Sequence, residues 1–258
     1  MQNDNGPVLV EVSQGIGTLT LNRPKQRNAV NPALCDAMRS ALGQLQNDPN
    51  VRVIILKGAG PVFCSGMDLA AFQNGEGERI LFGPGGFAGF VRRARRKPVI
   101  ASVQGAALAG GFELMLACDL VVAETGAVFG LPEPKLGLIA GGGGALRLAA
   151  QLPRVLANEI LLTGGQFSAD QMLAWGLINK VAHKDALTET TEHLARQIAA
   201  NAAQSTEDTL RIANAAALDH EKLPWELNDN LLKDRFKSTD AKEGTSAFLE
   251  KRAPNWST

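Results

Sequence analysis

Between Lys97 and Leu138 the chain sets two apolar strand-like runs, Val99–Val103 and Leu120–Ala123, on either side of a glycine-rich turn and a short apolar helix. The order strand, turn, helix, strand marks an α/β chain. Val51–Lys57, also near-continuously apolar, has the pattern of a strand covered on both faces. Two glutamates lie in the central stretch among apolar or small residues. Glu113 follows Ala109-Gly110-Gly111-Phe112, and Glu133 stands between Pro132 and Pro134. A carboxylate beside an apolar helix start is costly unless it is paired, protonated or useful. Two of them, both next to turns, form a candidate acid/base pair. The other reading, that each caps a helix or pairs with a lysine, stays open on these residues alone.

At 258 residues the chain is long enough for one large domain or a domain with an appendage. Its 26 basic and 26 acidic residues cancel, which argues against a nucleic acid or a membrane surface as the partner. There is no apolar run long enough to span a bilayer, and the start MQNDNGPVLVEV has neither a basic n-region nor an apolar h-region, so no signal peptide is expected. Cys35, Cys64 and Cys118 show no metal-ligand spacing and read as free thiols of a reducing compartment, hence a cytoplasmic protein with no metal site. Cys64 reads as a small, partly buried filler rather than a nucleophile.

Val8–Val12 and Ile16–Leu21, separated by Gln14-Gly15, predict a hairpin. Asn31 offers an N-cap, with Pro32 at the first helical position, for a helix to about Gln46. The loop after Val51–Lys57, through Cys64, Ser65 and Met67, lies where α/β folds place ligand groups, and it is not a P-loop. Residues 74–86, rich in glycine and charge, read as a mobile surface loop or lid. The basic residues Arg92, Arg93, Arg95, Arg96 and Lys97 read as a solvated helix end. Ala106–Gly111 supplies small residues where backbone must approach something closely. Gly141–Gly144 forms a second glycine turn, read equally as a plain turn or a ligand contact. From Pro153 the pattern is helical: Pro153–Leu162, Ala169–Trp175, Asp185–Ala203, Thr206–Leu218, Trp225–Phe236 and Asp240–Lys251, with one short strand, Ile178–Val181. Ser168 is an N-cap candidate. His183, His193 and His220 read as exposed polar residues.

The ordered motifs LTLNRPKQRNAV (19–30), IILKGAGPVFCSGMDL (54–69), KPVIASVQGAALAGGFELMLACD (97–119), FGLPEPKLGL (129–138), LLTGGQFSADQMLAWGLINKV (161–181) and EGTSAFLEKR (243–252) cover nearly the whole chain. They resemble the crotonase, or enoyl-CoA hydratase/isomerase, superfamily. The resemblance implies a spiral of ββα units over residues 1–195. It implies a helical region over 196–258 that builds homotrimers or dimers of trimers. It also implies an acyl-CoA thioester as substrate, with no cofactor beyond that thioester. By the same resemblance the oxyanion hole falls on the backbone N–H groups of Met67 and Gly110, and the two catalytic carboxylates on Glu113 and Glu133. Substrate and CoA contacts fall on Lys25, Arg27, Ser65, Asp68, Leu69, Pro132, Gly141, Phe248 and Lys251, the last two where a neighbouring subunit's tail meets the nucleotide. Two departures stand out. Ala140 replaces the proline that most hydratases carry before the glycine run, and Met67 is bulkier than the usual alanine, a change that bears on the width of the acyl channel.

The expected chemistry is addition or removal of water across the C2=C3 bond of a 2-enoyl thioester. Charge builds on the thioester oxygen, where two fixed N–H donors stabilise it. Glu113 is assigned to the water and Glu133 to proton exchange at C2. An isomerase or a thioester hydrolase on the same fold is the enzymatic alternative, and a CoA-thioester-binding scaffold the non-enzymatic one.

Overall fold

The computed structural model describes residues 6–218 and 222–255. Strands β1 (Val8–Ser13), β2 (Ile16–Leu21), β3 (Val53–Gly58), β4 (Val99–Val103), β6 (Leu120–Glu124) and β9 (Lys180–Ala182) form a six-stranded sheet in that order. β1 and β2 are antiparallel, and every later pairing is parallel. The expected hairpin is present: Gln14 and Gly15 both take positive φ, the two-residue turn that matches strand twist. A second sheet has three short strands, β5 (Ala106–Leu108), β7 (Val128–Gly130) and β8 (Phe167–Ser168), ordered β5-β7-β8.

The two sheets alternate along the chain. β4 is followed by β5 and then helix α4 (Gly110–Leu116); β6 is followed by β7 and a 3-10 turn, Glu133–Leu136. β3 is followed by Cys64, which bridges to Ala107 of β5, and then by α2 (Leu69–Gln73). Val30, which lies between β2 and helix α1 (Pro32–Asn47), makes another such bridge to Met67, which lies between β3 and α2. Each turn of the chain thus adds one strand to each layer and a helical segment after it.

α1 begins as expected: the Asn31 side chain accepts the Leu34 N–H at 3.0 Å, with Pro32 next. Its stripe of Leu34, Met38, Leu42 and Leu45 is buried in the main core. Ile55, Ile100 and Val122, on the other face of the large sheet, form a smaller core with α8 (Leu187–Ala199). The remaining helices are α3 (Gly77–Leu81), α5 (Gly144–Gln151), α6 (Arg154–Thr163), α7 (Ala169–Ala174), α9 (Ala203–Leu218), α10 (Lys222–Phe236) and α11 (Thr239–Glu250). Ser168 caps α7 with a full capping box to Gln171.

Three expectations need correction. Residues 74–86 are not a bare loop: α3 lies within them, and its Ile80 and Leu81 are buried in the core. The basic run after Gly89 ends no α-helix; Arg92 and Arg96 are exposed as expected, whereas Arg93 and Arg95 are half-buried and Lys97 is buried, and the run is tied to the rest of the chain. Arg92 pairs with Asp229, Arg95 with Asp119, Arg93 donates to the Arg39 carbonyl, and buried Lys97 donates to the Leu45 carbonyl at 2.8 Å. The helix expected over 185–203 is α8 alone, and α9 begins at Ala203. His183 and His193 are exposed as expected, and His220 lies outside the described residues.

Candidate active site

α4 and the 3-10 turn at Glu133 bring the two glutamates to one cavity of about 720 Å³. Glu113 sits in the first turn of α4 and is 3% exposed; Glu133 opens its turn between two prolines and is 7% exposed. α11 backs that turn directly, for a Cβ added at Gly244 would lie 2.6 Å from the Leu136 backbone. The Glu113 Oε1 accepts the Gly144 N–H at 2.8 Å. Among the described residues Glu133 Oε2 has no hydrogen-bond partner, although it is buried. Burial pushes the Glu113 carboxyl up to about 7, against the lowering effects of the Gly144 N–H and the Arg147 charge. Burial, and then the Glu113 charge, push the Glu133 carboxyl well above the usual carboxylate range. Burial thus raises both carboxyls, and the charge of one opposes ionisation of the other, so the two titrate as a pair.

The expected oxyanion donors also meet here. The Val30–Met67 bridge uses the Val30 N–H to Gly66 O and the Asp68 N–H to Val30 O, which leaves the Met67 N–H outside it. The Gly110 N–H lies in the first turn of α4, where no intrahelical acceptor exists. The two peptides press together: a Cβ on Gly66, whose φ is +97°, would lie 3.0 Å from the Gly110 nitrogen and 2.7 Å from the Ala109 Cβ. Ala109 itself is held at φ 51°, ψ −130°, a sparsely populated conformation for a residue with a side chain. Met67 and Gly110 both line the cavity with the glutamates.

Of the other expected contacts, Arg27, Ser65, Asp68 and Leu69 line the cavity on one side, and Pro132, Gly141 and Phe248 elsewhere on its wall. Asp68 is already engaged, since it pairs with Arg23 at 3.0 Å and caps α2. Lys25 and Lys251 are exposed and lie outside the wall. The wall also holds Phe87, from the 70–90 segment expected to supply pocket walls, and Leu138, Leu232 and Phe236, none of them singled out as a site residue in the sequence. Phe87 follows the Gly85-Gly86 pair, both at positive φ, and that pair is a turn signal that could have drawn attention to it. Cys64 is a filler, as expected, though wholly buried, and burial pushes its thiol up to about 12. Among the described residues there is no cluster of metal-ligating side chains, and no helix is long and apolar enough to cross a membrane.

A family model described as enoyl-CoA hydratase/isomerase matches residues 11–258. The chain belongs to that family, has the crotonase fold, and is a hydro-lyase of the acyl-CoA hydratase/dehydratase kind. It is similar to a carnitinyl-CoA dehydratase of Salmonella typhi, 40% identical with 98% of this chain and 95% of the relative covered. Among solved structures it is similar to a carnitinyl-CoA hydratase from Mycobacterium avium, with TM-score 0.93, 43% identity, and 98% of this chain and 99% of that one covered. An enoyl-CoA hydratase from Mycobacterium tuberculosis H37Rv gives TM-score 0.80 at 42% identity, covering 98% of this chain and 99% of that one.

Proposed function

We propose that Glu113 and Glu133 carry the water chemistry together, on the acyl part of carnitinyl-CoA or crotonobetainyl-CoA. In the hydration direction the water oxygen bonds to C3 and its proton passes to the Glu113 carboxylate. The electron pair moves onto the thioester oxygen, facing the N–H groups of Met67 and Gly110. The enolate then takes a proton at C2 from the neutral Glu133 carboxyl. Dehydration is the reverse sequence. The observation that carries this reading is the pair of buried carboxylates on one cavity wall, where burial and the charge of Glu113 raise the Glu133 carboxyl.

The names of the relatives support the carnitine-type acyl group. Phe87 and Phe236 line the wall, and aromatic rings are favourable neighbours for a quaternary ammonium. The apolar neighbours Leu81, Leu138 and Leu232 favour a second reading, an uncharged 2-enoyl chain. Arg27, Ser65 and Leu69 receive the CoA moiety, with Lys25, Asp68, Pro132, Gly141, Phe248 and Lys251 as further contacts. No cofactor enters the reaction. Residues 1–195 form the catalytic core and 196–258 the region that builds a homotrimer or a dimer of trimers, in the cytoplasm.

A panel of crotonyl-, longer enoyl- and crotonobetainyl-CoA tests the reading. The expected result is loss of enoyl-thioester absorbance with no free thiol, fastest on crotonobetainyl-CoA. Faster turnover of crotonyl-CoA selects the uncharged chain. Thiol release, or a moved double bond without hydration, overturns hydration for thioester hydrolysis or isomerisation.

A further inference from the structure

The carbonyls and the N–H groups of the glycine run Gly141–Gly144 point to different partners. The Gly144 N–H donates to Glu113. The Gly142 carbonyl accepts from the Arg147 guanidinium at 3.3 Å. The Gly141 carbonyl accepts from the Asn228 side-chain amide at 3.0 Å, and that bond is buried. Asn228 is 7% exposed and comes from α10, which among the described residues has no other buried polar side chain. A carbonyl can be satisfied there only by a donor, so the amide nitrogen must face it. α10 is itself anchored: Asp229 pairs with Arg92, and the Arg92 guanidinium stacks over the Trp225 ring at 3.9 Å. Leu232, one turn on, fills the space a side chain at Gly141 would need, at 2.4 Å from a Cβ built there. The run therefore has a fixed outer side, on α10 and Arg147, and an inner side that cradles a carboxylate.

We propose that Asn228 is a positioning residue for Glu113: by holding the Gly141 carbonyl it fixes the backbone that presents the Gly144 N–H to the Glu113 carboxylate. This rests on the role given to Glu113 above. The charged groups that face Glu113 are Glu133 on the 3-10 turn and Arg147 on α5. Neither is replaced in the Asn228 variants, and Arg147 is tied to the same run through the Gly142 carbonyl, so a movement of the Glu113 titration reports the placement of the run as a whole. A slackened run weakens the N–H that favours the ionised carboxylate, and the titration moves up.

The test uses the full-length enzyme with crotonyl-CoA. Asn228→Leu keeps the branched shape and removes the donor; Asn228→Ala removes both. The Asn228 amide also donates to Asp229 Oδ1 at 3.3 Å; Asp229→Asn weakens the tie of α10 to Arg92 and keeps a side-chain oxygen at that position to accept from Asn228. Both Asn228 variants are expected to lower kcat at pH 7 about tenfold, as misplacement of a reacting group does. They should also move the acid limb of the kcat/KM profile up by about half to one pH unit. Asp229→Asn should leave the limb where it is. An unmoved limb in folded Asn228 variants overturns the proposal, and so does an equal shift in Asp229→Asn, which would mark general loosening of α10. Failure of every Asn228 variant to fold overturns it too, because the residue would then be structural. Glu113→Gln is measured alongside: full activity there removes the role of Glu113 itself, whereas loss of activity there with an unmoved limb in the Asn228 variants removes only this proposal.

Discussion

The turn Ala109–Gly111 and the run Gly141–Gly144 both border Glu113, yet a side chain added to each would meet different things. At Gly110 a Cβ would lie 2.3 Å from the Phe87 ring, and at Gly111 it would lie 2.1 Å from the Cys64 carbonyl oxygen. At Gly142 and Gly144 it would lie 2.6 Å and 3.0 Å from the Glu113 carboxylate. The first turn excludes side chains because the scaffold is packed against it. The second excludes them because the Glu113 carboxylate occupies the space. None of these four glycines has a positive φ that bars an L-residue, so the neighbours alone decide. The absence of a side chain at Gly110 therefore serves packing against Phe87 first, and any opening for the thioester oxygen is a consequence of it. Substitutions in the first turn should be felt in stability, and those in the second in catalysis.

The largest effect belongs to the carboxylates that both turns serve. Glu113→Gln and Glu133→Gln should each lower kcat by roughly a thousandfold, the span of a lost general acid or base. The double variant should be little worse, because the two act as a unit. Stability should move the other way. Burial holds the Glu113 carboxyl at about 7 in the folded chain, against an ordinary value of 4.5. Between those values the native state keeps a proton that the unfolded chain has lost, so stability falls as pH rises from about 4.5 to about 7, and the loss is complete above it. Glu133 acts in the same direction. Calorimetry should show Glu113→Gln melting a few degrees above wild type at pH 8, with a flatter dependence across that window. A wild-type melting point that climbs through the window would remove the burial argument for both groups.

The next effect compares the turns directly. Gly110→Ala should cost about 2 kcal/mol of stability by overpacking against Phe87, and Phe87→Leu in the same chain should recover part of it. Gly142→Ala meets only the tip of a side chain that can swing, so its melting point should stay near wild type. Its kcat should fall roughly a hundredfold, because Glu113 is displaced. Thermal melts and steady-state kinetics on both variants check this. Equal losses of stability would erase the distinction between the turns.

The distinction was only half visible in the sequence. Glu113 and Glu133 announce themselves as carboxylates in apolar surroundings, and α1, β3 and β4 are long enough for periodicity and burial to mark them. β5, β7 and β8 are two or three residues each, too short for a pattern of period two to register. α3 hides in a segment of glycine and charge, and only the packing of Ile80 and Leu81 makes it a helix worth forming. The glycine run could be a turn or a ligand contact in sequence, and its real neighbour, the Glu113 carboxylate, comes from a helix some 31 residues away. Asn228 stands 87 residues from the carbonyl it holds, and no local pattern reaches that far.

The smallest effect sharpens the comparison within the second turn. Gly144 is the first residue of α5, and its N–H survives substitution by alanine. A Cβ there would lie 3.0 Å from Glu113 Oε1 and 3.1 Å from the Leu131 side chain, tight but not closed. Alanine also favours the helix by up to about 1 kcal/mol over glycine. Gly144→Ala should therefore keep or slightly raise the melting point and lower kcat only a few-fold, well short of Gly142→Ala. The ordering follows from distance to the carboxylate alone, since both changes add the same methyl group. If Gly144→Ala proves the more damaging of the two with the fold intact, contact with Glu113 is not what keeps this run free of side chains. The run would then have to be read through the space it leaves for substrate.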